Sequence, residues 1–585
     1  MALFADLLRS YSTPSGVRRA SRETQWPSPS WISDSWQQPH EFFAALHREA
    51  EHALGRPAKS QLDIGIDFYS DLVGRYLHHP GRGLIEHSHA IRWFEPELGW
   101  QSLSLAQLDA QAGALAAILI SSGTQAGDRL ALVLPSGGHL LVGLLAALRI
   151  GCVAVPVLPF GSTYVQRLME QSAADRVVTC SPYPSLRCFS DRKPLVLSPE
   201  LLSKAGKHPL PATYAPDSPA LLIASPLHPR ETLRTVSAAQ AYSCALRDGL
   251  LLFGLRPGDV LAAPNNAQYV PCTYLSALVC GAKVLDLSME AVLADVSPLQ
   301  EATRAVILSQ AIRDALLDAG GGPVSWGCWF RDPQEGFGLQ NWQRADEQLR
   351  LSSVLSANLL WDAASGGAIL VSIPRRGPPQ PLLWPAPGCP HLLAELAGEA
   401  PALTDVGRLV VQSADKTQSS SPGAALLFRT DDGYMYGGTV QPRRAGWSYP
   451  SQDVVDVLQR SPELAWLSGV AVVELSGAGG GGQALVVVVL FTGSEPISRV
   501  ERAQCFALIS RELGPSALPN QLEVFALHPR RLGGSPSSPI DSDWVRGQYI
   551  GSELFRKVRS PLFQALTHVR TALLRLNRLK GCDPP

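Results

Sequence analysis

From Leu105 onward the apolar residues Leu105, Leu108, Ala112, Leu115, Ala116 and Leu119 recur at helical spacing, and Gly123 and Gly127 stop that helix. A continuous apolar run, Leu130 to Leu134, follows as a buried strand. A second helix is predicted from His139 to Arg149, closed by Gly151, and Cys152 to Val157 is another short apolar run with β-branched residues. Helix, buried strand, helix, buried strand is the pattern of a parallel sheet covered by helices.

The same pattern returns between Leu250 and Leu287, where Gly258-Asp259 matches Gly127-Asp128 and Gly281 matches Gly151. An offset of 130 to 131 residues is too long for a solenoid, so the two stretches read as related α/β lobes rather than an array. The second lobe is expected from Ala220 to Ser309, with Val306 to Leu317 as a strand followed by a helix.

Outside these lobes the pattern is looser. Residues 14–35 are rich in Ser, Pro and Arg and read as a lead-in, after which Phe42, Phe43, Leu46, Ala50 and Leu54 give one apolar helical face behind Pro39. The proline-rich stretch 374–390 is predicted to form an extended surface connection. Leu467 to Glu474 and Ala484 to Leu490 are apolar strands joined by a glycine-rich hairpin, which lacks the Lys and Ser/Thr of a phosphate loop. A helix near Glu501 to Leu513 and a strand at Gln521 to Ala526 follow, and the amphipathic tail Leu562 to Leu579 reads as a helix packed on its own domain. The resulting fold class is α/β: a lead-in over 1–35, a large body of two α/β lobes over 36–440, and a smaller α+β domain with a terminal amphipathic helix over 446–585.

At the chain's organising stretch, GDRLALVLPSGG (127–138) and RIGCVAVPVLP (149–159) resemble the acyl-adenylate-forming superfamily of acyl-CoA synthetases, fatty-acyl-AMP ligases and adenylation domains. Further segments resemble it in the right order: Val406 to Gln412, Gly433 to Tyr436, and Trp447 to Val455, the last closest to the fatty-acyl-AMP ligases. The resemblance runs from about residue 36 to 550 and implies the two-lobed fold; function has to be argued from the site.

Composition narrows the partners. With 45% apolar and 17% charged residues and a formal net charge of −1, the chain is globular and offers no electrostatic footprint for nucleic acid or an anionic membrane. No apolar run reaches the roughly 18 residues of a membrane helix. Ten cysteines lie scattered, without a CxxC pair, and read as buried small hydrophobes in a reducing compartment, so a cytoplasmic location is expected. The N-terminus carries Asp6 and no long apolar core, which speaks against a secretory signal; a transit peptide is the alternative reading. Glu86, His87 and His89 have no third ligand nearby and read as part of a strand leading to Trp100; no metal site is expected.

The resemblance implies particular chemistry: glycines and a lysine around triphosphate, a glutamate for magnesium, an aspartate for ribose and a catalytic lysine. After the strand Ala220 to Ile223, where the phosphate loop falls, the chain reads Ala224 to Arg234 without a glycine, and only Ser225, Arg230, Thr232 and Arg234 still favour an anion. Where the family has Y-G-x-T-E the sequence offers Trp361 and, displaced from the glutamate position, Asp362. Asp431 is the candidate for the ribose aspartate, though Asp431-Asp432-Gly433 reads equally as a tight turn. Ser535 stands at the catalytic lysine position, no lysine lies between Lys416 and Lys557, and Arg530 and Arg531 are the nearest cations. The sequence therefore points to a member that has kept its fold and shed its ATP chemistry, without a cofactor, acting as a holder of an acyl or carboxylate ligand or as a partner subunit of another protein. The alternative is a divergent acyl-CoA synthetase or fatty-acyl-AMP ligase that activates a carboxylic acid with ATP and Mg2+. A hydrolase is not supported, for want of a G-x-S-x-G elbow.

Overall fold

The computed structural model describes residues 38–525 apart from 56–57, 78–88, 160–161, 181–193, 203–207, 225–232, 302, 334–338, 390, 395–401, 403–404, 412–421, 432, 440–442, 445–446, 450, 476–484 and 493–496, together with Ser35, Val545, Tyr549 and Leu554. The chain is α/β and divides into two compact units, one of residues 1–159 and 166–440, the other of 160–165 and 441–585.

The first lobe forms as its pattern predicts. Helix Leu105–Ser121 begins with a capping box, in which the Ser104 hydroxyl accepts from the Gln107 N–H and the Gln107 side chain accepts from the Ser104 N–H. Strand Arg129–Val133, helix Gly138–Arg149 and strand Val153–Val157 follow. Helix Gly138–Arg149 is buried all round, which explains why its apolar residues run on without a polar face. A six-stranded sheet is ordered Leu195–Val196, Arg176–Thr179, Arg129–Val133, Val153–Val157, Pro219–Ile223, Arg234–Ser237, parallel except for its last pair.

The internal duplication is visible bond by bond. Gly127 N–H donates to the Gly151 carbonyl at 2.8 Å, and Gly258 N–H donates to the Gly281 carbonyl at 2.9 Å. Asp128 Oδ2 accepts from Gln125 N–H and Asp259 Oδ2 from Arg256 N–H, each at 2.9 Å. All four glycines have positive φ, between 66° and 91°. These turns need a residue free of Cβ strain, and the paired Asp side chains hold them, so Gly-Asp recurs for the same physical reason in both lobes.

The second lobe is assembled differently from the sequence expectation. Strands Pro219–Ile223 and Arg234–Ser237, assigned to it by position along the chain, complete the first sheet instead. The second sheet takes two strands from ahead of the first lobe, Gly99–Ser104 and His89–Glu95, and continues through Lys283–Leu287, Val260–Pro264, Thr303–Leu308, Trp326–Arg331 and Leu355–Asp362. From His89–Glu95 to Leu355–Asp362 these strands are parallel. The sheet then turns antiparallel through Gly367–Val371, Leu382–Pro385, Gly433–Thr439, Pro422–Thr430, Val406–Val411 and His391–Ala394.

The proline-rich stretch is a second correction. Only Arg375 to Pro381 runs near the surface; Leu382–Pro385 is a sheet strand, and Leu383 to Cys389 are buried. Proline at a strand end costs little where its missing N–H is not needed by the ladder, and Trp384 and Leu383 provide apolar area that a surface loop would leave wet. His89–Glu95 is a strand, while Glu86 and His87 lie outside the described residues.

In the other unit, strands Gly469–Leu475, Leu485–Phe491 and Gln521–Phe525 form one sheet. Its middle strand, LVVVVLF, is buried at every position because both faces are covered. Helices Ser451–Arg460 and Arg499–Leu513 pack on one face, and Val545, Tyr549 and Leu554 on the other. The glycine-rich connection and the tail Leu562 to Leu579 lie outside the described residues.

Candidate functional site

Open parallel sheets bind ligands beyond the carboxyl ends of their strands, which here directs attention to the ends of Val260–Pro264, Trp326–Arg331 and Leu355–Asp362. Trp361 and Asp362 close the last of these strands. Trp361 is fully buried, stacked on Phe253 at 5.7 Å between centroids and tilted against Tyr269 at 6.3 Å. Its indole N–H has no hydrogen-bond partner among the described residues. Asp362 is 2% exposed and caps the turn Ala363–Ser365: it accepts from the Ala364 N–H at 3.3 Å and from the Ser365 hydroxyl at 2.8 Å. A short acid in extended backbone ahead of a tight turn suits this role, because it satisfies N–H groups that have no partner within the turn.

Around this turn is a polar cluster that motif comparison does not reveal. Gln268, 2% exposed, donates from Nε2 to Asp332 Oδ2 and to the Trp361 carbonyl, both at 3.1 Å, and its own carbonyl accepts from Ala363 N–H at 3.0 Å. One turn further, Arg247 and Asp248 form a buried ion pair, Nε to Oδ1 at 2.7 Å. Asp248 Oδ2 accepts from Ala368 N–H at 3.0 Å, and Arg247 donates to the Ala368 carbonyl at 2.9 Å. Burial pushes the Asp248 carboxyl up, against the pull of Arg247. Burial also opposes charge on Arg247, but Asp248 beside it outweighs that and keeps the guanidinium protonated. The available signal was Asn265-Asn266-Ala267-Gln268, a polar run directly after an apolar strand.

Among the other candidates, Arg234 is half-buried at the start of strand Arg234–Ser237, in register with Ile223. That strand packs against the turn Ala363–Ser365, and Gln240 Nε2 donates to the Ser365 carbonyl at 3.4 Å. The fold thus brings the Arg234 segment to the turn that Asp362 caps. Asp431 is exposed at the two-residue end of a hairpin, where Thr430 pairs with Gly433 and its hydroxyl donates to the Gly433 carbonyl at 3.1 Å. Ser225, Arg230, Thr232, Arg530, Arg531 and Ser535 lie outside the described residues. Among the described residues no group of three or more His, Cys, Asp or Glu is placed to hold a metal ion, and no helix is long and apolar enough to cross a membrane. Seven of the eight cysteines described are buried, and all eight are free.

Residues 86–225 match the family model for AMP-binding enzyme. No curated protein matches the sequence. Among solved structures, the chain is similar to o-succinylbenzoate CoA synthetase from Bacillus subtilis (15% identity, 82% of this chain and 98% of that one, TM-score 0.61). It is similar also to an amide bond synthetase from Marinactinospora thermotolerans (16%, 82% and 99%, TM-score 0.60). A third is the fatty acyl-adenylate ligase from L. pneumophila in complex with acyl adenylate and pyrophosphate (15%, 83% and 96%, TM-score 0.57). Residues 86–225 thus resemble AMP-binding enzymes, and the chain as a whole shares the fold of these adenylate-forming and CoA-ligase structures.

Proposed function

We propose that this protein is a catalytically silent member of the superfamily, a binding or partner subunit that holds an acyl or carboxylate ligand or another protein without consuming ATP. The observation that carries the reading is the condition of Trp361 and Asp362. Asp362, the carboxylate the sequence offers beside the expected magnesium position, is 2% exposed and committed to its own turn, and the neighbouring aromatic is packed as core. A metal ligand has to present a lone pair to the ion, and an aspartate already accepting two hydrogen bonds in a buried turn is a poor one. The sequence adds to this support: Ala224 to Arg234 contains no glycine and two prolines, so few backbone N–H groups can approach phosphate oxygens.

Thermal denaturation with and without millimolar ATP and Mg2+ tests the proposal. A ligand at a hundredfold excess over its dissociation constant stabilises the native state by about 2.7 kcal/mol, and a silent site gives no shift. The expected outcome is no shift. A clear upward shift would overturn the reading in favour of a divergent acyl-CoA synthetase or acyl-AMP ligase, and Arg530→Ala with Arg531→Ala should then abolish adenylate formation.

A further inference from the structure

Between the two lobes lies a buried polar chain. The N-terminus of helix Gly138–Arg149 is built on Gly137, whose φ is 100°, and on Gly138. The Trp93 indole from the second sheet lies so close that a Cβ at either glycine would come within 2.6 Å of it. Gly137 N–H donates at 2.8 Å to the hydroxyl of Tyr274, a residue of helix Cys272–Val279 in the second lobe. That hydroxyl is in turn hydrogen-bonded to Asp286 on strand Lys283–Leu287. Asp286 is 3% exposed, and its Oδ1 has no partner among the described residues.

Among the described residues the surroundings offer no cation to Asp286. Arg92, on the adjacent strand His89–Glu95, is in register with Leu285, one residue off, so it lies on the opposite face of the sheet, where it meets Glu301 at 3.0 Å. Glu95 on the same strand accepts the Trp93 indole N–H at 2.7 Å, with His139 of the glycine-started helix 3.9 Å from it. Arg149, at the far end of that helix, pairs with Asp109. Helix Cys272–Val279 contributes Cys272 and Tyr274, strand Val260–Pro264 no charged group, and Lys283 stands three residues back on Asp286's own strand, exposed in part. A carboxylate without a counter-charge at such a depth is strongly disfavoured, whereas a neutral carboxyl fits.

We propose that Asp286, Tyr274 and Gly137 form a proton-dependent lock between the two α/β lobes, closed while the Asp286 carboxyl carries its proton. Burial pushes that carboxyl up to about 8, with the Tyr274 hydrogen bond acting in the opposite direction. The folded state therefore holds a proton that the unfolded chain has already released above the ordinary carboxylate range. The contribution of this carboxyl to stability is complete in acid and falls as pH rises toward the folded value, by up to tenfold in the folding constant per pH unit.

The test is urea denaturation of the full-length protein and of Asp286→Asn between pH 6 and pH 9, with amide exchange at residues 137–141 and 283–287. The amide of Asn cannot ionise, so its advantage over the wild type is expected to grow by about fiftyfold between pH 6 and pH 8, and then level off. The two exchanging segments should open faster in the wild type than in the variant at pH 9, and the gap should be smaller at pH 6. Parallel pH profiles for the two proteins would overturn the lock. Should Asp286→Asn fail to fold, Tyr274→Phe serves. Loss of its hydrogen bond raises the carboxyl further, so the decline in stability should extend to higher pH than in the wild type; a profile that levels at the same pH or lower would overturn it.

Discussion

At the scale of single residues, Arg247 and Asp248 show how much of this fold rests on buried polar groups. Together they hold both backbone groups of Ala368, and at Gly367 a Cβ would lie within 2.1 Å of Asp248 Oδ2, which with a φ of +142° leaves glycine the only residue that fits. Asp248→Ala should cost about 3–5 kcal/mol in chemical denaturation, because Arg247 is left charged and uncompensated. A cost below about 1 kcal/mol would show that water reaches the pair. His391 gives a second test. Its Nδ1–H donates to the Cys389 carbonyl at 3.3 Å and its Nε2 accepts from the Tyr434 hydroxyl at 3.0 Å, the arrangement of a neutral imidazole. Burial lowers its pKa to about 4 against an ordinary value of 6.5, with the Cys389 carbonyl opposing and Arg429 assisting. A depressed histidine contributes stability above its unfolded value, and that contribution is lost as pH falls from about 6.5 to 4. A His391→Gln variant should lack this part of the acid loss, which denaturation at pH 4.5 and 7 will read. Neither network was legible in the sequence, since a residue such as Asp248 within an apolar helix has no local partner to announce it.

At the scale of elements, the twin turns offer a controlled comparison. A Cβ at Gly127 or Gly258 meets nothing within 4 Å, so alanine there should cost only the backbone strain of positive φ, about 1–2 kcal/mol and equal in the two lobes. Alanine at Gly281 adds a clash with the Tyr76 ring at 2.4 Å and should cost clearly more. Equal losses at Gly258 and Gly281 in thermal denaturation would mean that the ring moves aside. The helices and parallel strands of both lobes were legible because their signal is local: apolar periodicity, a glycine stop, a short apolar run. The strand Leu382–Pro385 was not, because proline-rich composition speaks for a loop and only the neighbouring strands Gly367–Val371 and Gly433–Thr439 make it a ladder member. Asp431 shows the intermediate case: its turn chemistry was legible, and the pairing of Thr430 with Gly433 agrees with the tight-turn alternative.

At the scale of the whole molecule, each compact unit has its own apolar core, so calorimetry of the full chain should resolve more than one transition. A single transition with equal calorimetric and van't Hoff enthalpies would show that the units unfold together. The sequence by itself determined the α/β class, the duplicated lobes, the superfamily resemblance and the residue types present at each motif, because these depend on local periodicity and on which side chains exist at all. Tertiary structure alone decided that strands His89–Glu95 and Gly99–Ser104 join the second sheet while Pro219–Ile223 and Arg234–Ser237 join the first. It alone decided that Asp362 is spent on its own turn and that Asp286 is buried without a counter-charge among the described residues. The reason is physical: strand pairing and the cost of a buried charge depend on neighbours distant in sequence, and no window along the chain contains them.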